Sequence, residues 1–259
     1  MLNLNHIAQS DVLDYLRLVP DNSVQLIIAD PPYNLGPKFG NHKEWINDNE
    51  WLPWCAEWLQ ECQRVLRPDG NLFVYGIHHY LCFIQVELYK MGMHYRRQVI
   101  WHYENGFSTY KRNMATHYEP LLWFSKTNDY YFEEIREPYK STERLRNKII
   151  KNGKEWIPNP NGRIAGDVWS FPTLAGKRFA GEKVNHPTQK PMSISERLIK
   201  HFSEIGATVL VPFAGSGSEC VAASINERFF LACELNPEYV ELGNKRVNDA
   251  LKDLAILKG

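Results

Sequence analysis

The chain has 259 residues, 44% of them hydrophobic, so it is long enough for one large α/β domain with insertions. It carries 30 basic and 30 acidic residues, and this balance argues against a uniformly basic nucleic-acid-binding protein, although a local basic segment would still allow such binding. We expect neither a membrane span nor a signal peptide, because no apolar run approaches roughly 18 residues and the first residues lack a basic region.

The 5 cysteines are scattered along the chain without the paired spacing of metal ligands. The histidines show no such spacing either. We therefore expect reduced thiols, a cytoplasmic protein and no bound metal ion.

Strands and helices alternate along most of the sequence. In chain order we predict a strand at 24–29, a helix at 51–70, a strand at 71–77, a helix at 80–91, strands at 96–103 and 119–126, a helix at 194–203, a strand at 208–213, a helix at 217–226, a strand at 228–235 and a helix at 237–255. This alternation predicts an α/β fold with a doubly wound, mostly parallel sheet. In such sheets ligands bind at the carboxyl ends of the strands.

The segment 134–185 departs from this alternation, because it is rich in Gly, Pro, Asn and Arg. Over 136–190 there are 12 Lys and Arg residues against 5 Asp and Glu. Loops of this length within a compact domain are usually functional or disordered, and Trp156, Trp169 and Phe171 argue against complete disorder.

The sequence Asp30-Pro31-Pro32-Tyr33 directly follows the first buried strand. At a strand tip, Asp30 can accept a hydrogen bond from an exocyclic amino group. The prolines hold the backbone extended, which presents the Pro31 carbonyl as a second acceptor. Tyr33 supplies a flat ring on which a planar base can stack. Together these groups could orient the amino group of a base as a nucleophile.

A second polar turn, Phe213-Ala214-Gly215-Ser216-Gly217, joins a strand to a helix. Glycine lets the backbone approach a ligand closely, and the helix N-terminus favours an anionic group. The next strand ends in Glu234, 17 residues after Gly217, and a carboxylate at this position suits the two hydroxyls of a ribose. A tight strand-to-helix turn without a ligand is the alternative interpretation.

These residues resemble motifs of the amino-methylating DNA methyltransferases that use S-adenosylmethionine. "DPPYNL" is similar to the catalytic motif of the adenine-N6 members, "PFAGSG" to their methionine-binding loop, and "NHPTQKP" at 185–191 to the segment before the first helix of the cofactor half. The order of these motifs is typical of the β group of this family, and the resemblance extends over about 5–250.

The resemblance implies a catalytic half at 1–126, a target-recognition insertion at 127–182 and a cofactor-binding half at 183–259. It assigns catalysis to Asp30, Pro31, Pro32 and Tyr33, which would hold an adenine that is extruded from double-stranded DNA. The residues that it assigns to S-adenosylmethionine are Asp11, Asp30, Thr188, Lys190, Pro191, Phe213, Gly215, Ser216, Gly217, Ser218 and Glu234.

The basic excess of the insertion predicts contacts to DNA. Our predicted DNA-binding residues are Arg144, Arg146, Lys148, Lys151, Lys154, Arg163 and Arg178. The Trp-rich stretch 45–58 is expected in the core or in a subunit interface, because members of this group often form homodimers.

One position departs from the family pattern. Val211 occupies the place of the usual Asp at the start of the cofactor loop, and Glu219 could replace the missing carboxylate. Three alternatives therefore stay open, namely cytosine-N4 methylation of DNA, methylation of an amino group on RNA, and a DNA-binding protein of the same fold with impaired cofactor binding. Methylation of a protein glutamine usually goes with Asn at position 30, which makes it the least favoured alternative.

Overall fold

The computed structural model describes residues 2–34, 47–76, 79–106, 111–112, 114–141 and 143–258. Its strands are β1 (His6–Gln9), β2 (Val24–Ala29), β3 (Leu66–Tyr75), β4 (His94–His102), β5 (Tyr118–Ser125), β6 (Arg136–Glu137), β7 (Ile149–Lys151), β8 (Lys154–Trp156), β9 (Arg163–Ile164), β10 (Val168–Ser170), β11 (Thr208–Val211) and β12 (Phe229–Glu234). Its α-helices are α1 (Val12–Leu18), α2 (Asp48–Val65), α3 (Leu81–Lys90), α4 (Glu143–Arg146), α5 (Met192–Phe202), α6 (Ser218–Ile225) and α7 (Pro237–Lys258).

An eight-stranded sheet forms the centre of the molecule, with the strand order β1-β12-β11-β2-β3-β5-β4-β10. All neighbouring strands are parallel except for β5, which is antiparallel to both β3 and β4. The predicted fold class, a doubly wound and mostly parallel sheet, is confirmed. Because β5 runs against its neighbours, its first residues lie at the same edge as the last residues of the other strands.

Every residue of β2 is buried, as expected for a parallel strand that is covered on both faces. Ile27 packs into a core with α1, α2 and α3, whereas Leu26 and Ile28 pack into a second core with α5 and α6. The period of two along the strand therefore sends alternate side chains to opposite faces of the sheet.

Two of the tryptophans in 45–58 belong to the first core. Trp51 and Trp58 are 2% and 0% exposed, and Trp54 contacts Phe213 with their ring centroids 5.8 Å apart. Residues 45 and 46 lie outside the described residues. The described tryptophans thus support the core interpretation of this stretch.

The helix predicted at 51–70 ends earlier, at Val65, because Leu66 is buried and already pairs with Val24 of β2. The register between β2 and β3 then shifts, so the Pro-Asp-Gly sequence at 68–70 lies within β3 and is not a helix stop. The short elements β1 and α1 had no clear periodicity in the sequence, and we did not predict them.

The segment 127–182, which we expect to be an insertion, contributes β10 to the central sheet, parallel to β4. Its other strands form two small antiparallel pairs, β6 with β9 and β7 with β8. Where the structure describes the chain, none of its helices has both the length and the apolar composition that crossing a membrane requires.

Candidate active site

The two predicted motifs meet at the carboxyl edge of the sheet. β2 and β11 are parallel neighbours, with Leu26 opposite Val209 and Ile27 opposite Leu210. Asp30 follows β2, and the turn 213–217 follows β11, so both lie beyond adjacent strand tips. Sheet topology thus brings together two motifs that are far apart in the sequence.

Lys190 is the centre of this site. Its Nζ lies 2.7 Å from Oδ2 of Asp30 and 3.4 Å from Oε2 of Glu119, and its side chain is 3% exposed. Burial lowers the pKa of Lys190, but the charges of Asp30 and Glu119 outweigh burial and raise its pKa above the ordinary value. Lys190 is therefore a charged, buried ammonium group beside the predicted catalytic carboxylate.

The tyrosine of the first motif also holds Asp30. The hydroxyl of Tyr33 donates a hydrogen bond to Oδ1 of Asp30. Burial and then the charge of Asp30 raise the pKa of Tyr33 well above its ordinary value, so this hydroxyl stays protonated and remains a donor. The indole Nε1 of Trp51 donates to the Pro32 carbonyl over 3.0 Å and fixes the two prolines against α2.

Glu219, in the first turn of α6, brings a further carboxylate to this site. It is 5% exposed, and its Oε1 accepts a hydrogen bond from the Ser195 hydroxyl over 3.0 Å. Burial and then the charge of Asp30 raise the pKa of Glu219. Val211, in contrast, is 1% exposed and belongs to the second core. The carboxyl group of Glu219 thus interacts electrostatically with Asp30 and Lys190. This position is needed if Glu219 is to replace the carboxylate that is missing at Val211.

Sequence reasoning missed Glu119 and Tyr75. Glu119 is the second residue of β5, and it reaches the carboxyl edge only because β5 is antiparallel, which the sequence pattern did not indicate. Tyr75 ends β3, and the Nζ of Lys190 lies 4.8 Å from its ring centroid. Its position at a strand end was the one available signal.

The glycine turn is fastened to the neighbouring strand. The Gly215 N–H donates to Oε2 of Glu234 over 2.9 Å, and the Asn236 N–H donates to Oε1 over the same distance. Asp11 caps α1 by accepting from the Leu13 N–H over 2.8 Å. The Ser10 N–H donates to the Glu234 carbonyl, so the predicted acidic residues Asp11 and Glu234 follow adjacent strands.

The predicted segment 185–191 covers the glycine turn. A Cβ added to Gly215 would lie 2.9 Å from Nε2 of His186, so the imidazole packs directly against the turn. The Ser218 hydroxyl donates to the Lys190 carbonyl over 2.9 Å. In the sequence, Thr188 lies between His186 and Lys190. Pro191 is the N-cap residue of α5.

Two further predicted cofactor residues contact neighbouring helices. Phe213 is directed toward α2, with its ring centroid 5.3 Å from that of Trp58. Ser216 is buried, and its carbonyl accepts a hydrogen bond from the guanidinium of Arg246 in α7. Several backbone groups of this turn are engaged as well, since the Gly217 N–H donates to the Ala214 carbonyl over 2.7 Å.

The predicted DNA-binding residues lie on several short elements of the segment 127–182. Lys151 and Lys154 lie on the β7–β8 hairpin, Arg146 ends α4, and the Arg144 side chain lies outside the described residues. Two others are engaged in ion pairs, Lys148 with Glu155 over 3.1 Å and Arg163 with Glu137 over 3.0 Å. Arg178 is exposed in a short 3₁₀ turn at Lys177–Phe179.

Within the described residues, no group of three or more His, Cys, Asp or Glu side chains is arranged to hold a metal ion. Asp30 and Glu119 share the ammonium of Lys190 at the sheet edge, beside the glycine turn 215–217. This arrangement is suited to holding an amino group and a cationic ligand.

The sequence matches the DNA methylase family over residues 24–245. The chain therefore belongs to this family, and the resemblance inferred from its motifs is confirmed.

Two curated relatives resemble the chain over most of its length. It is 36% identical over 257 residues to the type II methyltransferase M1.MboII of Moraxella bovis, covering 96% of this chain and 98% of the relative. It is 32% identical over 248 residues to the DNA adenine methyltransferase YhdJ of Escherichia coli (strain K12), covering 94% of this chain and 83% of the relative.

Solved structures of lower sequence identity share the fold. The M1.HpyAVI–SAM complex has a TM-score of 0.64 at 22% identity and covers 94% of this chain and 98% of that chain. The cytosine-N4-specific PvuII DNA methyltransferase has a TM-score of 0.67 at 17% identity and covers 96% of this chain and 93% of that chain.

We predict that Gly217→Ala destabilises the protein. Gly217 has a φ of 77°, and an added Cβ would lie 3.0 Å from the Gly243 Cα on α7. The strain should lower the free energy of unfolding by roughly 1–3 kcal/mol. Urea denaturation measures this loss, and Gly166→Ala, where the added Cβ meets nothing within 4 Å, is the matched control. Equal effects of the two substitutions would contradict the packing of the turn against α7.

We also predict that His186 makes stability fall in mild acid. Burial lowers its pKa to about 4, and the charges of Lys190 and Arg246 assist burial against the opposing charge of Asp30. Its Nδ1 accepts from the Thr188 N–H over 3.3 Å, which a protonated ring could not do. Since the unfolded chain binds a proton near pH 6.5 and the folded one near 4, stability is lost as the pH falls through this window.

The test of this prediction is the difference in unfolding free energy between wild type and His186→Asn. The asparagine oxygen can replace Nδ1 as an acceptor without titrating. Relative to the variant, the wild type should lose about 1–3 kcal/mol between pH 6.5 and 4. Parallel pH profiles would show that His186 is not buried as described.

Proposed function

We propose that this protein transfers a methyl group from S-adenosylmethionine to the N6 amino group of adenine in double-stranded DNA. The observation that carries the proposal is the position of the Asp30 carboxylate, at the strand tip next to the glycine turn 215–217 and in contact with Lys190. The sequence Asp-Pro-Pro-Tyr at 30–33 and the adenine methyltransferase among the relatives support adenine as the target.

The residues of the cleft fit a cofactor that carries positive charge. Asp30 and Glu119 share the ammonium of Lys190, and Oε2 of Glu119, which lies 3.4 Å from that ammonium, is buried without a hydrogen-bond partner among the described residues. When bound, S-adenosylmethionine supplies an electrophilic methyl group. Glu219 would contribute the negative charge that Val211 does not, on the side of the cleft formed by α6.

One side of this sheet edge would hold the cofactor, and the other side would hold the target adenine. Glu234 and Asp11 would hold the adenosine, and the turn 215–217 would lie along the methionine part beside Thr188, Lys190 and Pro191. In this arrangement Phe213 and Ser218 would support the turn, because the Phe213 ring packs on Trp58 of α2 and the Ser218 hydroxyl contacts Lys190 and Arg246 of α7.

On the other side, Asp30 and the Pro31 carbonyl would accept hydrogen bonds from the amino group of an extruded adenine that stacks on Tyr33. Each carboxylate oxygen of Asp30 can accept more than one hydrogen bond, so Tyr33 and Lys190 can stay in place while the base binds. The rate enhancement would come from this positioning and from the fixed charges around the nitrogen.

The alternatives predict different products. Cytosine-N4 methylation would appear as a different methylated nucleoside in a digest of the product DNA, and an RNA substrate would leave DNA unmodified. An inert DNA-binding protein would show no binding of S-adenosylmethionine by calorimetry. Several properties stay predictions. They are a role in a restriction-modification pair, a homodimeric state, a cytoplasmic location and the boundaries 1–126, 127–182 and 183–259.

We predict that Asp30→Ala abolishes methyl transfer but retains cofactor binding, because Asp30 contacts the target amino group while Glu119 still pairs with Lys190. Single-turnover transfer from radiolabelled S-adenosylmethionine to DNA measures the first effect, and calorimetry measures the second.

Asp14→Ala, which removes an exposed aspartate from α1, is the control and should transfer methyl groups at the wild-type rate. Transfer by Asp30→Ala at more than a few per cent of that rate would contradict the role of Asp30. Loss of cofactor binding in Asp30→Ala would instead show that the substitution disturbs the whole cleft.

A further inference from the structure

A cavity of about 910 Å³ lies beyond the last two strands of the same sheet edge. One wall is formed by 102–105 after β4, and the other by 170–178 after β10. We call it the β4–β10 cavity. The two walls are joined by a hydrogen bond of 2.5 Å from Nδ2 of Asn105 to Oγ1 of Thr173. Its volume lies in the range of pockets that hold whole ligands.

The cavity continues the active site along one face of the sheet. Glu119 lies opposite Trp101, and Trp101 lies opposite Trp169, so these side chains share one face. Tyr103 and Phe171 are two residues further along their chains and therefore point to that same face. Three to four strand spacings separate β2 from this cavity, which corresponds to about 14–19 Å.

The tyrosine at the cavity is electrostatically coupled to the active site. Burial and then the charge of Glu119 raise the pKa of Tyr103 to about 12, and Lys190 opposes them. The Tyr103 hydroxyl is thus close enough to respond to the two residues that hold Asp30. Tyr103 therefore belongs both to the cavity lining and to the surroundings of Glu119 and Lys190.

The lining combines aromatic rings with cations. Tyr103 and Phe171 are half-buried, whereas Lys177 and Arg178 are exposed, and neither of these cations forms an ion pair with another described residue. Rings that stack bases and cations that neutralise phosphates together are typical of sites for single-stranded nucleic acid. Glu104 on the β4 wall would repel a phosphate, so the phosphate should lie on the opposite wall.

We propose that the β4–β10 cavity binds the nucleotide adjacent to the extruded adenine on the target strand. This inference rests on the proposed function. The phosphate of that nucleotide contacts Lys177 and Arg178, and its base stacks on Phe171 and Tyr103. The cavity thereby holds the strand in the distorted, unstacked state that an extruded base requires.

The test pairs a protein change with a DNA change. The duplex carries the recognition sequence of this protein, read from DNA methylated in cells that express it, and neutral methylphosphonates replace the phosphates flanking the target adenine. We expect them to weaken wild-type binding several-fold but to have no effect on the variant Lys177→Ala/Arg178→Ala. This variant should also lower the dependence of log affinity on log salt by about one to two units.

The control variant is Lys90→Ala/Lys200→Ala. Lys90 and Lys200 lie near the C-terminal ends of α3 and α5, which lead to the first residues of β4 and β11, so they lie at the opposite edge of the sheet. The control should respond to the methylphosphonates as the wild type does. If the methylphosphonates weaken DNA binding by Lys177→Ala/Arg178→Ala as much as they weaken binding by the wild type, the proposal is overturned.

A second arm tests the stacking. An abasic site next to the target adenine should slow methyl transfer by the wild type. It should not slow transfer by the Phe171→Leu variant, because leucine keeps the apolar contact but offers no ring on which the missing base could stack. Additive effects of the abasic site and Phe171→Leu would count against stacking in the cavity. If the wild type methylates no DNA at all, the proposed function fails, whereas methylation with an unresponsive cavity removes only this inference.

Discussion

The buried ion pair between Lys190 and Asp30 is the interaction on which the site depends. Lys190 belongs to the segment before α5, and Asp30 follows β2, so the pair joins the two halves of the chain that the motifs define. The Lys190 carbonyl accepts a hydrogen bond from Ser218 at the head of α6. One residue therefore links the predicted catalytic carboxylate with the glycine turn through its side chain and its backbone.

A buried ion pair is costly to form and is useful mainly for the geometry that it enforces. Here Tyr33 and Lys190 hold the two oxygens of Asp30, so the carboxylate has one orientation before any ligand binds. Glu119 places a second carboxylate against the Lys190 ammonium. On the proposed reaction, these two carboxylates around one ammonium favour a cationic cofactor over the product that has lost its sulfonium charge.

Much of this arrangement could be predicted from the sequence. The mostly apolar β2 is followed by Asp-Pro-Pro-Tyr, and β11 is followed by a glycine turn, so two strand tips with polar loops predicted one shared site. Because β2 and β11 are adjacent parallel strands, the loops that follow them lie at the same edge of the sheet. The contact between Lys190 and Asp30 could not be predicted, because it depends on how the segment before α5 crosses the sheet edge.

Other features depend on strand direction and packing, which periodicity does not encode. Glu119 joins the site only because β5 is antiparallel, and β10 joins the sheet although it is three residues long within a polar segment. Phe213, which is predicted to contact the cofactor, also packs on Trp54 and Trp58 of α2, a contact that its position in the turn did not indicate. Whether the exposed basic residues meet DNA is a question of surface placement, which sequence alone does not determine.

The most direct test of the central claim is a double-mutant cycle between Asp30→Asn and Lys190→Met, with the free energy of unfolding measured by urea denaturation. The account predicts that the double variant differs from the sum of the single variants by at least about 1 kcal/mol, because either change leaves its partner buried without its closest counter-ion. Additive effects within about 0.5 kcal/mol would contradict the claim that this pair holds the site together.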